Sequence, residues 1–195
     1  MAILPIYIYD QSVLRKKARV VHPEKTGREE IRQLAEDMFE TMHQAGGIGL
    51  AANQVGSLHR IIVVDVSDME ETSGVPPLAL VNPVVVSEEG KWPMEEGCLS
   101  IPEIREEVVR AEKIRVRYKD VDFVDREIEA SGILGRVLLH EIDHLNGVLF
   151  IDYLSPDLKK MLRGRLNKIR HGEIEVNYPV VAGSAAAEHH RVAVK

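Results

Sequence analysis

The chain has 195 residues, of which 45% are apolar and 29% are charged, which is typical of one globular domain with a buried core. Its formal net charge of −6 argues against a nucleic-acid binder with a broad basic face, and no apolar run approaches the roughly 18 residues of a membrane span. The single cysteine, Cys98, excludes an intrachain disulfide, and the N-terminus lacks a signal-peptide pattern. We therefore expect a cytoplasmic protein.

The first half of the chain contains a β-branched and aromatic stretch at 3–9, a helix and a glycine-rich loop. The helix is indicated by apolar residues at helical spacing after Thr26, which together with Glu29 fits a capping box. Gly46 and Gly47 are expected to end this helix. Beyond the loop, the pattern predicts a strand at 60–66, a polar loop at 67–77 and a strand at 78–88 that Asn82-Pro83 interrupts.

The second half predicts strands followed by helices. Alternating apolar and polar residues predict antiparallel strands at 105–109, 114–119 and 123–129. Ser131 is expected to cap a helix that Gly147 ends, and this helix is apolar on most sides, so it should be buried in the middle of the domain. Ser155-Pro156 opens a last helix that Gly172 ends.

These elements define an α+β class, because strands and helices segregate along the chain instead of alternating. We predict antiparallel sheets around a central buried helix, with a further helix near the C-terminus. Residues 1–172 are expected to form a single domain. Residues 173–195 are expected to form a C-terminal extension, with an edge strand followed by a flexible tail.

The sequence His140-Glu141-Ile142-Asp143-His144 lies in the predicted buried helix. Residues four apart lie one turn above each other, so both imidazoles can bind one metal ion, and the Glu141 carboxylate can reach a water on that ion. The alternative is a pair of core histidines with an ion-paired glutamate. Because the helix is otherwise apolar, such polar groups would cost several kcal/mol unless they were paired or bound to metal. The pattern therefore favours a metal-dependent hydrolase.

The third ligand would distinguish among such hydrolases. One protease group needs a third histidine where this chain has Phe150, which cannot bind a metal. Another needs a glutamate on a following helix, but the next glutamate is Glu173, beyond the last predicted helix. Cys98 is the remaining strong donor, although a lone cysteine is more commonly a small buried hydrophobic residue. The residues alone leave both interpretations of Cys98 open.

Three stretches, 47–54 (Gly-Ile-Gly-Leu-Ala-Ala-Asn-Gln), 96–100 (Glu-Gly-Cys-Leu-Ser) and 140–144, resemble in order and spacing the three motifs of bacterial peptide deformylases. The resemblance covers roughly residues 1–170. It implies removal of the formyl group from the N-terminal formylmethionine of newly made polypeptides, with release of formate. It also implies one divalent metal, natively Fe²⁺, with Zn²⁺, Ni²⁺ or Co²⁺ able to substitute. The implied ligands are Cys98, His140 and His144.

The same resemblance implies roles for three further groups. A metal-bound hydroxide would attack the formyl carbon, and Glu141 would be the general base and acid. The side-chain amide of Gln54 and the backbone N–H of Leu99 would stabilise the developing oxyanion. A metallopeptidase that cleaves internal peptide bonds and a non-catalytic peptide- or metal-binding domain are the alternatives.

The substrate would lie against the glycine-rich loop as an added strand, because Gly47 and Gly49 allow close approach and unusual φ. Helix geometry places Ile133, Arg136 and Val137 on the same helix face as His140. Together with Ile48 they would form an apolar slot for methionine. Arg136 in this group is expected to extend its guanidinium to the rim. The remaining predicted substrate-binding residues are Gly97 and Arg105, the latter at the pocket mouth.

A basic face is predicted on the last helix, at 156–171. In some bacterial deformylases a C-terminal helix docks on the ribosome, and a basic face would suit contact with ribosomal RNA. We therefore expect formylmethionyl nascent peptides as substrates and weak ribosome docking through this helix. Neither a membrane nor a specific DNA is an expected partner.

Overall fold

The structure, a computed structural model, describes residues 1–183. Its α-helices are α1 (Pro23–Thr26), α2 (Arg28–Gln44), α3 (Gly132–Leu145) and α4 (Pro156–Arg170). Its strands are β1 (Ile6–Tyr7), β2 (Gly49–Ala51), β3 (Ile61–Val64), β4 (Leu78–Glu89), β5 (Trp92–Cys98), β6 (Ile101–Arg110), β7 (Lys113–Lys119), β8 (Asp125–Ser131) and β9 (Val180–Val181).

The strands form three sheets. The largest is antiparallel, with the order β2-β3-β4-β7-β8, while β5 and β6 form an antiparallel hairpin and β1 pairs with β9 in parallel. The helix α3 follows directly after β8 and packs against β2 and β3. Its apolar side chains Leu138, Ile142 and Leu145 share a core with side chains of the five-stranded sheet. This combination of helices and antiparallel sheets confirms the predicted α+β class.

Strand β4 continues through Asn82 and Pro83, and the predicted interruption takes the form of a bulge in its pairing with β7. The register with β7 shifts between Val81 and Val84, and Asn82 has a φ of +54°. A bulge of this kind accepts a proline, which has no N–H to donate. The Asn82 side chain also accepts from the backbone N–H of Val21 and donates to its carbonyl, at 2.8 and 2.9 Å, which holds the bulge in place.

The predicted helix starts differ in their outcome. The Thr26 capping box is wrong, because α1 ends at Thr26 and Gly27, with a φ of +83°, separates it from α2. Ser131 occupies the N-cap position of α3 but makes no side-chain capping bond. The cap at Ser155 is confirmed, since its hydroxyl accepts from the backbone N–H of Leu158. The strand predicted within 123–129 begins at Asp125.

The segment after α4 returns to the N-terminus of the chain, where Val180 and Val181 lie opposite Ile6 and Tyr7. The part of the expected tail beyond Gly183 lies outside the described residues. Within residues 1–183, no helix combines the length and apolar character required to cross a membrane.

Candidate active site

A cleft of about 590 Å³ opens between the loop 46–49, the β5–β6 hairpin and α3. All predicted site residues except His144 line it. They are Gly47, Ile48, Gly49, Gln54, Gly97, Cys98, Leu99, Arg105, Ile133, Arg136, Val137, His140 and Glu141. His144 is buried one helical turn beyond His140. Lining residues without a predicted role include Met69, Met94, Glu96, Ile101 and Tyr178.

Three potential metal donors converge beside this cleft. The donor atoms of Cys98, His140 and His144 all lie within 4.8 Å of one another, and Cys98 Sγ is 3.2 Å from His144 Nε2. The strand β5 ends at Cys98 and brings the thiol to α3, whose i, i+4 spacing places the two imidazoles on one face, with their rings edge-on to each other. One thiol and two imidazoles form a set that suits a divalent transition metal and leaves coordination positions free. These residues therefore fit a metal.

The two imidazoles differ in their proton affinity. Burial lowers the pKa of His144 well below its ordinary value, which favours the neutral form that a metal ligand requires. Burial also lowers the pKa of His140, but its hydrogen bonds to Cys98 and Glu96 outweigh that effect and raise it. A cation bound by the same donors would compete with the His140 proton, so metal binding at this site would release protons.

The Glu96 carboxylate fixes the orientation of the His140 ring. Its Oε2 accepts from His140 Nδ1 at 2.8 Å, and its two oxygens accept from Arg110 Nε and Nη2 at 2.6 and 3.0 Å. Burial would raise the pKa of Glu96, but the bonds from His140 and Arg110 hold it at about 2. A carboxylate that binds one imidazole nitrogen leaves the other nitrogen to the metal. Sequence reasoning identified Glu96 only as a motif member and missed this role.

Arg136 does not extend to the rim, so the predicted position of its guanidinium is wrong. The side chain is only 3% exposed and donates to Glu96 Oε1 at 2.8 Å. It also donates to the carbonyls of Val108 and Trp92, and it stacks over the Trp92 ring at 5.3 Å. These acceptors satisfy the charge in the interior, which removes the reason to reach solvent. The exposed Arg105 at the cleft pairs with Glu95 at 2.8 Å.

Arg110 connects Glu96 to a second carboxylate, that of Asp143. Its Nη1 donates to Asp143 Oδ2 at 2.6 Å, and the Tyr153 hydroxyl donates to the same oxygen at 2.8 Å. The guanidinium also lies 4.7 Å from the centre of the Tyr153 ring. Two of the acidic side chains near the histidines, Glu96 and Asp143, are thus paired by one arginine, which no local sequence pattern indicates.

Gly49 makes room for Glu141. A Cβ at Gly49 would lie 2.6 Å from Glu141 Oε1 and 2.7 Å from Val137 Cγ1, and one at Gly47 would lie 2.7 Å from Leu99 Cδ1. Close approach by these side chains explains the two glycines. The expectation of unusual φ is wrong for both, because the glycine with positive φ in this loop is Gly46, at +68°.

The Glu141 carboxyl is buried, and its Oε2 has no hydrogen-bond partner within residues 1–183. Burial is the main cause that raises the pKa of Glu141 to about 7. Such a carboxyl can both take up and release a proton near neutral pH.

The Gln54 amide is fixed at both ends. Its Oε1 accepts from the backbone N–H of Ala51 at 2.8 Å, while its Nε2 donates to Ser100 Oγ at 3.1 Å and to Cys98 Sγ at 3.6 Å. The donating end therefore faces the cluster of Cys98 and the two histidines. Leu99 follows Cys98 in the turn between β5 and β6.

The fold and this cluster define a class, namely α+β proteins with a candidate metal-hydrolase centre. The model of the polypeptide deformylase family matches residues 3–160. A peptide deformylase of Salinibacter ruber is 49% identical over 187 residues, which cover 92% of this chain and 94% of the relative. One of Chlorobium luteolum is 44% identical over 178 residues, which cover 91% and 92%.

Solved structures agree with this match. A peptide deformylase from Legionella pneumophila is 40% identical with a TM-score of 0.79, covering 88% of this chain and 98% of that one. One from Thermus thermophilus is 39% identical with a TM-score of 0.78, covering 87% and 99%. The chain therefore belongs to the polypeptide deformylase family. The predicted resemblance is confirmed, and with it the prediction of an enzyme.

Replacing Arg110 by methionine should strongly destabilise the protein, because Glu96 and Asp143 would then be left without this partner. We expect the free energy of unfolding in urea to fall by about 3–5 kcal/mol. The matched control is Lys113→Met, which breaks a solvent-exposed pair with Glu129 and should lower the free energy of unfolding far less, because exposed ion pairs contribute little. Equal losses in the two variants would show that the Arg110 network does not support the site.

Proposed function

We propose that this protein removes the formyl group from the N-terminal formylmethionine of newly made polypeptides and releases formate. The reaction breaks the formyl C–N bond, adds the oxygen of a water to the formyl carbon and delivers a proton to the freed amine. The observation that carries the proposal is the convergence of Cys98, His140 and His144 at a cleft that Glu141 and Gln54 also line. Membership of the deformylase family supports the same reaction.

One divalent metal is part of the proposal, held by Cys98, His140 and His144. Fe²⁺ is the ion we propose for the native protein, with Zn²⁺, Ni²⁺ or Co²⁺ as substitutes, because thiolate and imidazole suit all four. When bound, such an ion acts as a Lewis acid and lowers the pKa of water toward about 7. The three donors all come from two elements, β5 and α3, so their spacing is fixed by the packing of the hairpin on the helix.

Glu141 is the group that we propose to take a proton from the attacking water and to deliver it to the departing amine. Its burial, its free Oε2 and its pKa of about 7 support this dual role. The contact with Gly49 also supports this role, because the backbone of Gly49 lies close to the Glu141 carboxyl and limits its position.

Gln54 and Leu99 are the proposed oxyanion donors. The orientation of the Gln54 amide supports this role, because its Nε2 faces Cys98 while Ala51 holds the other end. One such donor contributes about 3 kcal/mol to lowering a barrier of this kind. The donor from Leu99 is its backbone N–H.

Methionine specificity is proposed for the apolar part of the cleft, where Ile48, Ile133 and Val137 pack together. The peptide that follows methionine is proposed to lie along the loop at Gly47 and Gly49, next to Gly97 and the exposed Arg105. In this proposal Arg136 does not bind the substrate directly but holds Glu96 in place.

We propose that residues 1–172 form the catalytic domain, built around α3 as the central helix that carries the two histidines and Glu141, and that the extension after residue 172 packs on this domain through the pairing of β9 with β1. The burial of most α3 residues supports that position. Because nascent polypeptides are the proposed substrate, the proposed place of action is the cytoplasm.

Formate release from a formyl-Met peptide by the metal-loaded protein tests this function directly. We expect Glu141→Gln to keep its metal and to lose at least about 10³-fold in kcat, because the proton acceptor is gone. Cys98→Ala should instead lose metal affinity, since a ligand is removed. Metal content and formate are measured on the same samples.

Two results would contradict the proposal. Cleavage of unformylated peptides would favour a metallopeptidase. An unchanged rate in Glu141→Gln would contradict the proposed acid–base role of Glu141. The absence of formate with the wild-type chain would favour a non-catalytic binding domain.

Weak docking on the ribosome through α4 is a further part of the proposal. Exposed basic side chains on this helix support it, among them Lys160, Arg163 and Lys168. We expect Lys160→Glu with Arg163→Glu to reduce co-sedimentation with ribosomes several-fold at low salt, without a loss of formate release. Equal binding of the variant, or no binding by the wild-type chain, would refute docking.

A further inference from the structure

We propose that Tyr178, from the segment after α4, is a positioning residue of the active site that holds the Cys98–Ser100 turn through a hydrogen bond to the Leu99 carbonyl. The inference rests on the proposed function, because its catalytic effect acts through the Leu99 donor. Tyr178 lies beyond residues 3–160, which the family model matches, so that match does not account for it.

Tyr178 reaches the cleft from a part of the chain that is distant in sequence. Its ring lines the same cleft as Cys98 and Glu141, and its hydroxyl donates to Leu99 O at 2.9 Å. The partly buried ring packs against the core that α2 shares with β3, as the Leu99 side chain also does. The hydroxyl of Tyr178 therefore binds the turn directly, while its ring is held by the core.

The turn needs such partners because it stands outside the ladder between β5 and β6. The register of the pairing between β5 and β6 shifts between Gly97 and Cys98. Cys98 therefore lies opposite Ile101, and the two residues between them form a tight turn. The carbonyls of this turn are satisfied by the two ends of the chain. Leu99 O accepts from Tyr178, and Ser100 O accepts from the backbone N–H of Tyr9 at 2.8 Å. The Tyr178–Leu99 bond is partly buried, and a carbonyl there that lost its donor would destabilise the turn.

The phenol is held in place by backbone pairing. Ile6 N donates to Pro179 O at 2.8 Å, and Ile8 N donates to Val181 O at 3.1 Å. These two bonds fix the chain directly after Tyr178. The strand β1 thereby links β9 to the N-terminal segment that also binds Ser100, so both supports of the turn belong to one assembly.

The consequence for the reaction follows from which atoms are held. The Leu99 carbonyl and the Leu99 N–H belong to adjacent peptide groups joined at the Leu99 Cα. A turn that loses the Tyr178 bond can change φ and ψ at Leu99, and the N–H then loses its fixed direction. The N–H is proposed to act on the oxyanion, which exists only in the transition state. Loss of the Tyr178 hydroxyl should therefore lower kcat with little change in KM.

Tyr178→Phe in the full, metal-loaded chain tests the inference, because it removes the hydroxyl and keeps the ring. We expect kcat for formate release to fall about three- to tenfold with KM within about twofold, the equivalent of one lost hydrogen bond. Bound metal should stay at the wild-type level. The matched control is Tyr118→Phe on β7, whose partly buried ring makes no hydrogen bond through its hydroxyl within residues 1–183, and it should behave as wild type.

A second readout does not depend on activity. Amide hydrogen exchange, followed by mass spectrometry of a peptide that spans residues 98–101, should accelerate in Tyr178→Phe and stay unchanged in Tyr118→Phe. Unchanged exchange or an unchanged kcat in Tyr178→Phe would overturn the positioning role, and so would an equal loss in Tyr118→Phe. Absence of formate with the wild-type chain would refute the proposed function, while exchange would still decide whether Tyr178 holds the turn.

Discussion

The buried carboxylate of Glu96 is the interaction on which the candidate site depends. It lies on β5 and binds Arg110 of β6 together with Arg136 and His140 of α3. A buried charge is tolerated only when it is paired and hydrogen-bonded, so these elements cannot separate without exposing an unpaired ion. Cys98 lies two residues further along β5, and the same attachment therefore brings its thiol to His144. Charge pairing thus sets the geometry that the three donors need.

Periodic patterns predicted most of the secondary structure, and they failed where the deciding partner is distant. The apolar stripes of α2, α3 and α4 follow from local spacing, as do the alternating strands β6, β7 and β8. The continuity of β4 through Asn82 depends instead on Val21, 61 residues away. The start of α2 depends on the backbone conformation of Gly27, which competes with the side-chain cap that Thr26 offers. Neither the contact between Asn82 and Val21 nor the conformation of Gly27 can be predicted from a local sequence pattern.

The same distinction applies to the candidate site. The spacing of His140 and His144 is local to one helix, so sequence alone brought them to one face. The prediction for Cys98 came from the resemblance to a family, because its neighbours leave its role open. The rim position predicted for Arg136 failed because Glu96 pairs with it in the interior. Tyr178 was missed because only the pairing of β9 with β1 brings it to the cleft.

The most direct test of the proposed three-ligand centre is a crystal structure of the metal-loaded protein with anomalous scattering measured at the absorption edge of the metal. We predict one peak, about 2.3 Å from Cys98 Sγ and about 2.0–2.1 Å from one imidazole nitrogen of each of His140 and His144. Glu141 should lie outside bonding distance, and Glu96 should still bind His140. A peak without Cys98 among its ligands, or with Glu141 among them, would contradict the proposed centre.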